Sequence, residues 1–387
     1  MSELFHTGLP IPRLLARGDP CAGRRSSRRA PARLSCLRRC VPVLVTLACA
    51  GCVGTSSSSG QDAKEVQQVR RVRDLEVKFR SGEVTLAGTL FLPDVGGSHP
   101  AVVLYHGSGP QSRDAFTGRW FAEHGVAALA YDKRGVGDSS GDYRAVPFTD
   151  LVADGLAAVA FLKVRADINP KQIGVWGLSQ GGWLGPLAAS RSKDITFVIA
   201  VSGPGVSPGE QMVFYFGNQL RARGLSNREV EEAGDVRRKV WHLLSTGEGY
   251  DATQIALERA KSQPWFGLLN DQMRGLLSRS ASDLVNDGKL SAEDWYRSEL
   301  NYDPRVALRA LTVPSLFVFG DRDELVPVNL SASIIRETMT HPGHPPFSIV
   351  VFPGADHTIS MASGDGRRML APGYLDTVAR WLRQTLN

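Results

Sequence analysis

The chain is short of cysteine, and its few cysteines lie near the beginning. Only five of the 387 residues are Cys, and none follows Cys52. Disulfides, CxxC redox pairs and cysteine-based zinc sites are therefore excluded from the long remainder of the chain. The apolar stretch near the start covers only residues 41–48. It is shorter than the roughly 20 residues that a membrane-spanning helix needs.

Beyond residue 60 the chain also lacks any excess of basic residues. Residues 1–60 hold nine Arg and two acidic residues, whereas the remainder holds 36 Lys and Arg against 37 Asp and Glu. The net charge of +6 therefore belongs to the leading segment. Because the remainder has no basic excess of the kind that binds phosphate backbones, we expect no nucleic-acid partner.

The first 52 residues have the pattern of an export signal. A pair of Arg residues precedes the apolar stretch over 41–48, as in a signal peptide. Residues 49–52, with the sequence CAGC, resemble a bacterial lipobox, which implies lipidation of Cys52; ordinary signal cleavage is the alternative. Residues 53–71 begin with a Ser- and Gly-rich run and predict a flexible tether. We therefore expect an exported protein of the bacterial cell envelope, held at the membrane by a lipid anchor.

Residues 72–387 show apolar runs that alternate with helical patterns, after a predicted hairpin with strands at 75–79 and 84–92. This alternation predicts an α/β fold in which helices cover both faces of a mostly parallel sheet. A polar, mostly helical stretch over about 206–305 interrupts the pattern and predicts an insertion. The other predicted strands lie at 101–106, 126–131, 173–178, 196–202, 315–319 and 348–352, and the predicted helices at 115–124, 149–164, 181–190 and 375–386.

The pentapeptide G-x-S-x-G occurs three times, centred on Ser139, Ser179 and Ser207. Ser207 is followed by Pro208, which lacks the N–H that the residue after a nucleophile donates to the oxyanion. Ser139 lies in a polar, Gly-rich stretch with no helical pattern behind it, which indicates a surface loop. Ser179 stands between an apolar strand and the start of a helix, the context of a nucleophile elbow. The pattern therefore predicts Ser179 as a nucleophile.

An acid and a histidine follow Ser179 along the chain, each just after a predicted strand. Asp323 lies within G-x-x-D-x-x-V-P and His357 within G-x-x-H. The carboxyl ends of parallel strands gather functional groups at one edge of a sheet. The order serine, acid, histidine resembles the α/β-hydrolase superfamily. The resemblance implies Asp323 as the acid and His357 as the base, with Asp321 and Asp356 as alternatives for the acid.

The resemblance also implies an oxyanion hole. Its first donor is expected to be the backbone N–H of Gln180, the residue after the nucleophile. The loop after the third strand has the sequence HGSG, which resembles the family's HG-x-G motif. Ser108 is expected to supply the second donor, with Gly107 as the alternative, and His106 to shape the loop. We expect no cofactor and no metal in such a site.

Some charged and aromatic residues are expected to be structural. Asp132 and Arg134 resemble the family's D-x-R-G turn and predict a structural salt bridge. Inside the insertion, acidic residues at 229–232 and basic residues at 237–239 predict a solvated helix face. Aromatic side chains of the insertion predict a small core of its own, with the lining of an acyl pocket as the alternative: Phe214, Tyr215, Phe216, Trp241, Trp265, Phe266 and Trp295.

The resemblance implies a serine hydrolase similar to bacterial capped esterases and, more distantly, to dienelactone hydrolases and serine aminopeptidases. The insertion over 206–305 would form a cap and select the substrate. We expect cleavage of a small-molecule carboxylic ester through an acyl-enzyme. Hydrolysis of a short peptide, as by an aminopeptidase or acylaminoacyl peptidase, or of a thioester is the alternative. A non-catalytic envelope protein that binds a ligand is disfavoured, because all three triad residue types are present.

Overall fold

A computed structural model describes most of the chain after residue 70. The predicted signal peptide over 1–52, with Cys52, and the predicted tether up to residue 70 lie outside the described part. Residues 281–298 of the predicted insertion, including Trp295, lie outside it as well. The described residues are 71–144, 146–269, 275–280 and 299–387.

Eight strands form the main sheet: β1 Val72–Ser81, β2 Val84–Pro93, β3 His99–Tyr105, β4 Ala127–Tyr131, β5 Ile168–Leu178, β6 Val198–Val201, β7 Ser315–Gly320 and β8 Phe347–Phe352. Their spatial order is β1-β2-β4-β3-β5-β6-β7-β8. The β1–β2 hairpin is antiparallel, β2 pairs antiparallel with β4, and every pair from β4 to β8 is parallel. The mostly parallel sheet confirms the predicted α/β-hydrolase fold.

The described helices, in chain order, are α1 Ala115–Glu123, α2 Phe148–Lys163, α3 Gly181–Arg191, α4 Pro208–Ala222, α5 Asn227–Thr246, α6 Tyr250–Ala260, α7 Pro304–Arg309, α8 Val328–Met339 and α9 Tyr374–Leu386. A short hairpin, β9 Ser360–Ala362 with β10 Arg368–Leu370, lies between β8 and α9. Among the described residues, no helix combines the length and apolar character that crossing a bilayer requires.

The side chains of β3 divide the core into two layers. Ala101, Val103 and Tyr105 pack with the apolar faces of α2, α3 and α8, whereas Val102 and Leu104 pack with those of α1 and α9. This division follows from the two-residue period of a strand, which points successive side chains to opposite faces. Because both faces are covered by helices, every residue of β4 is buried.

The segment between β6 and β7 forms a helical insertion with a hydrophobic cluster of its own. Helices α4, α5 and α6 lie where the sequence predicts helical structure. Helix α5 begins with a capping box, in which Ser226 and Glu229 satisfy each other's backbone N–H groups. It ends at Gly247, whose φ of +76° suits glycine. Trp241 and Trp265 are buried in the insertion's cluster, in agreement with a core role.

One prediction for the insertion is wrong at a single residue. The charge pattern predicts a solvated helix face over 237–239, and Arg238 and Lys239 are exposed, but only 6% of Arg237 is exposed. Its guanidinium carbon lies 3.5 Å from the centre of the Phe216 ring, and the ring of Trp241 is 5.7 Å away. A guanidinium is weakly hydrated and stacks on aromatic faces, so this cation packs within the insertion's aromatic core.

Candidate active site

Ser179 occupies a strained turn between the end of β5 and the start of α3. Its φ is +57°, in the left-handed region that non-glycine residues rarely adopt. The turn is held by two backbone hydrogen bonds: Ser179 N–H donates to Val201 O at 2.9 Å, and Gly182 N–H donates to Ser179 O at 2.8 Å. Such strain costs on the order of 1–3 kcal/mol and persists only where the surroundings impose it.

The glycines around Ser179 allow the turn to pack against neighbouring backbone. A Cβ added to Gly177 would lie 2.2 Å from the carbonyl oxygen of Gly181. A Cβ added to Gly182 would lie 2.3 Å from Cα of Gly203, in the loop after β6. No real side chain tolerates such distances, so the close approach of β5, α3 and the β6 loop requires glycine at both positions.

The other two serines of G-x-S-x-G pentapeptides have structural roles. Ser139 Oγ donates to Asp132 O at 2.7 Å and accepts from Ala87 N–H at 2.9 Å. Ser207 is the N-cap residue of α4, where its hydroxyl accepts from Glu210 N–H. Neither of these serines has the positive φ of Ser179.

Asp323 and His357 meet across the loops that follow β7 and β8. Asp323 Oδ2 lies 2.8 Å from His357 Nδ1, and the carboxyl side chain is fully buried. The other carboxylate oxygen, Oδ1, accepts the backbone N–H groups of Leu325 and Val326 at 2.8 and 2.9 Å. These bonds fix the carboxylate, which in turn orients the imidazole.

The two alternative acids bond elsewhere. Asp321 Oδ1 accepts Gly354 N–H at 2.6 Å. Asp356 Oδ1 accepts the N–H groups of Thr358 and Ser360, and its other oxygen pairs with Arg368. The geometry therefore favours Asp323 as the partner of His357.

Ser202, which the sequence analysis did not single out, links the histidine loop to the strand beside Ser179. It is fully buried with a φ of +48°. Its hydroxyl donates to His357 O at 2.8 Å, and its N–H donates to Val318 O at 2.7 Å. The preceding residue, Val201, accepts the Ser179 N–H. Ser202 thus ties the backbone of His357 to the strand end that holds Ser179.

The expected oxyanion donors flank Ser179. Gln180 is the N-cap residue of α3, so its N–H has no intrahelical acceptor. On the other side, a Cβ added to Gly107 would lie 3.8 Å from Ser179 Cβ. Ser108, the next residue, is exposed. The structure therefore places the loop after β3 directly beside the strained turn, as the resemblance implies.

His106 anchors this loop to the sheet. Its Nε2 lies 2.5 Å from Tyr131 O, and because a carbonyl only accepts, Nε2 carries the proton. Burial lowers the pKa of His106 to about 4, so the ring is neutral at pH 7. A neutral, hydrogen-bonded ring agrees with the predicted role of His106 in shaping this loop.

Asp132 and Arg134 do not pair with each other, so the predicted salt bridge between them is wrong. Arg134 makes two bonds to Asp154 at 2.7 and 2.8 Å, and Asp132 pairs with Arg113 at 2.7 Å. The two partners belong to different elements: Arg113 lies just before α1 and Asp154 lies on α2, and these helices pack in different layers of the core. Both pairs are structural, as expected, but each joins the turn to a different element.

Lys133, between these two, was missed by the sequence analysis. Its Nζ donates to Gln180 Oε1 at 2.8 Å and to Gly107 O at 3.0 Å, although the residue is only 3% exposed. Glu299, near the end of the insertion, is also buried and interacts electrostatically with Lys133. A lysine two residues after the end of a buried strand is the one signal that could have indicated it.

The insertion contacts the loop that carries Asp323. From α4, Gln211 Nε2 donates to Leu325 O at 2.6 Å, and Asn218 Nδ2 donates to Glu324 O at 2.9 Å. Both acceptors follow Asp323 within two residues. Helix α4 therefore lies against the candidate site.

Comparisons with known proteins agree with the fold. The family described as serine aminopeptidase, S33, matches residues 97–255. Esterase EstD of Thermotoga maritima is 27% identical over 77% of this chain, which spans 65% of the esterase, slightly under two thirds of its length.

The quorum-quenching protein AidA of Acinetobacter baumannii is 33% identical over 70% of this chain and 84% of its own length. The solved structure of hypothetical protein PA2218 from Pseudomonas aeruginosa has a TM-score of 0.50 and 18% identity, covering 81% of this chain and 94% of that one. The chain belongs to the α/β-hydrolase superfamily.

Proposed function

We propose that the protein is a serine hydrolase that cleaves carboxylic esters through an acyl-enzyme, with Ser179, Asp323 and His357 as the catalytic triad. The hydrogen bond of 2.8 Å between His357 Nδ1 and Asp323 Oδ2 carries the proposal. It joins the loops after β7 and β8, which lie at the same edge of the parallel strands as Ser179. Ser179 itself sits in a strained turn of the kind that exposes a nucleophile.

The proposed reaction uses each group for one task. Ser179 Oγ attacks the ester carbonyl carbon while His357 Nε2 takes the hydroxyl proton, and Asp323 stabilises the imidazolium. The tetrahedral oxyanion accepts from Gln180 N–H and from the loop at Gly107 and Ser108. Collapse breaks the carbon–oxygen bond, and His357 returns the proton to the leaving alcohol. A water molecule, activated by His357, then hydrolyses the acyl-enzyme.

We favour an ester as the substrate because one curated relative is named an esterase. A peptide is the second candidate, since the matching family is named for a serine aminopeptidase. The triad attacks either carbonyl, so the difference rests with the groups that bind the rest of the substrate. Helix α4 bonds to the loop of Asp323, so the insertion lies close enough to the site to contact the rest of the substrate and discriminate between an ester and a peptide.

A fluorophosphonate probe tests the nucleophile. Wild type should be labelled, and Ser179→Ala should lose both labelling and ester turnover, by roughly 10⁴-fold or more in kcat. Ser207→Ala is the matched control, because it alters a second G-x-S-x-G serine that only caps a helix. Labelling of Ser179→Ala would show that the nucleophile is another residue.

Substrate class is tested separately. Turnover of p-nitrophenyl esters of graded chain length should exceed turnover of aminoacyl anilides. If kcat/KM for an anilide is far above that for every ester, the peptidase assignment replaces the esterase one.

A further inference from the structure

Lys133 is a buried cation that touches both sides of the candidate oxyanion hole. One hydrogen bond of its ammonium goes to Gly107 O in the loop after β3, and another goes to the side chain of Gln180 at the start of α3. Lysine is almost never fully buried unless it is paired. Burying this charge costs free energy, which indicates that the lysine is kept there because it connects the loop after β3 to the start of α3.

The bond to Gly107 O also sets the direction of a backbone donor. The carbonyl of Gly107 and the N–H of Ser108 belong to one planar, trans peptide unit, so the two groups point in opposite directions. When Lys133 holds the carbonyl on its own side, the Ser108 N–H faces away from the lysine. Withdrawal of electron density by the ammonium also makes that N–H a stronger donor.

We propose that Lys133 is a positioning residue of the oxyanion hole, which orients and polarises the Gly107–Ser108 peptide and holds Gln180 beside the nucleophile. This inference rests on the proposed function, because it assigns Lys133 a role in the step that Ser179 begins. In this role Lys133 does not contact the substrate. It acts through the two backbone donors, the N–H groups of Gln180 and Ser108.

The charge of this region changes near pH 8. Burial lowers the pKa of Lys133 to about 8, partly offset by Glu299 and Asp154, and burial raises the pKa of Glu299 to about 8. The pair therefore carries one positive charge below about pH 8 and loses it above, whichever group releases the proton. Asp154 stays paired with Arg134, and His106 is neutral in this range.

The loss of positive charge beside the oxyanion predicts an alkaline fall in kcat. As pH rises through about 8, wild-type kcat for p-nitrophenyl acetate should decrease. In Glu299→Gln the fall in kcat should move to lower pH. The amide cannot ionise, so the variant lacks the negative charge that raises the pKa of the Lys133 ammonium. These two profiles require no change at Lys133 itself.

Lys133→Met removes the charge and both hydrogen bonds but keeps a side chain of similar length. We expect kcat to fall roughly 10- to 100-fold, somewhat less than loss of an oxyanion donor itself, with KM changed less than about threefold. The alkaline fall should disappear. Lys163→Met is the matched control, because this exposed lysine pairs with Asp194 on the surface.

The outcomes separate this inference from the proposed function. Ester turnover that survives Ser179→Ala overturns the proposed function. Loss of turnover in Ser179→Ala together with a Lys133→Met kcat within twofold of wild type, or with an unchanged alkaline fall, overturns only the role of Lys133. If Lys133→Met fails to fold, the wild-type and Glu299→Gln profiles decide, and a flat wild-type profile between pH 7 and 9.5 overturns the inference.

Discussion

Buried polar groups beside the candidate site and those inside the helical insertion differ in their hydrogen bonding. Near the candidate site, Asp323 takes part in three hydrogen bonds and Arg134 binds Asp154 with two. In the insertion, the indole N–H groups of Trp241 and Trp265 are buried without a hydrogen-bond partner in the described part of the chain. A buried donor left unpaired costs about 1–3 kcal/mol.

At the candidate site, individual atoms must be held in fixed positions. Inside the insertion, the packed surfaces need only be apolar. Hydrogen bonds to Asp323 and Ser202 determine where the His357 loop lies. The insertion is held by apolar packing and by local caps such as Ser226, with α4 bonded to the Asp323 loop. Apolar packing tolerates change better than a hydrogen-bonded site does, which suits the role in substrate selection that we propose for the insertion.

The largest expected effect concerns the hydrogen-bonded residues of the candidate site. Asp323→Asn should lower kcat for p-nitrophenyl acetate by roughly 10⁴-fold, because an amide favours the wrong imidazole tautomer and cannot stabilise the imidazolium. Asp321→Asn is the control, since that carboxylate accepts Gly354 N–H in the neighbouring loop and lies 4.0 Å from the exposed Arg322 guanidinium. It should change kcat less than about threefold, and equal losses in the two variants would contradict the assignment.

A second prediction concerns the insertion. Trp265→Ala should cost about 3–5 kcal/mol of packing, as large aromatic truncations do. Limited proteolysis within α4–α6 should become faster and the preference among ester chain lengths should change, while turnover of the acetate ester stays within about threefold. Trp265→Phe should lose less stability than Trp265→Ala, because it keeps one aromatic ring and removes the unpaired N–H while leaving only part of the indole volume empty.

Phe197→Ala is the comparison for that experiment, because Phe197 is fully buried between the sheet and α9. The same loss of packing in the core should lower thermal stability and activity together. If Trp265→Ala abolishes acetate turnover while Phe197→Ala does not, the division between core and insertion is wrong.

The smallest effect tests the packing of the turn at Ser179. Gly182→Ala should destabilise the protein by about 1–3 kcal/mol, since its Cβ would meet Gly203 backbone at 2.3 Å. Gly185→Ala, one turn later in α3, meets nothing nearer than Val175 Cγ2 at 3.4 Å. It should be neutral or stabilising by up to about 1 kcal/mol through helix propensity. Urea unfolding of both variants measures the difference, and equal stabilities would contradict the close packing.

Local patterns predicted most of the core elements to within a few residues. Strands β3 to β8 and helices α1, α2, α3 and α9 carry continuous apolar runs or helical periodicity that burial requires. Helix α8 was not predicted, although its buried residues Val328, Ala332, Ile335 and Met339 have helical spacing. The three-residue strands β9 and β10 are too short to show any periodicity.

Side-chain partners were harder to predict. Three aspartates lie near the expected histidine, and sequence spacing left Asp321 and Asp356 open beside Asp323. Asp132 and Arg134 were expected to pair but bond to Arg113 and Asp154 instead. In each case the partner comes from another element, and distances between elements depend on how the chain folds back on itself.

By itself, the sequence determined the α/β class, the strand-turn-helix context of Ser179 and the order in which the candidate residues occur. These features are local, because apolar periodicity and glycine spacing act within a few residues. Tertiary structure alone decided that Asp323 meets His357, that Ser202 holds the histidine loop and that Lys133 reaches Gly107 and Gln180. Those contacts join residues 26 to 155 positions apart, so only the paired sheet brings them within hydrogen-bond distance.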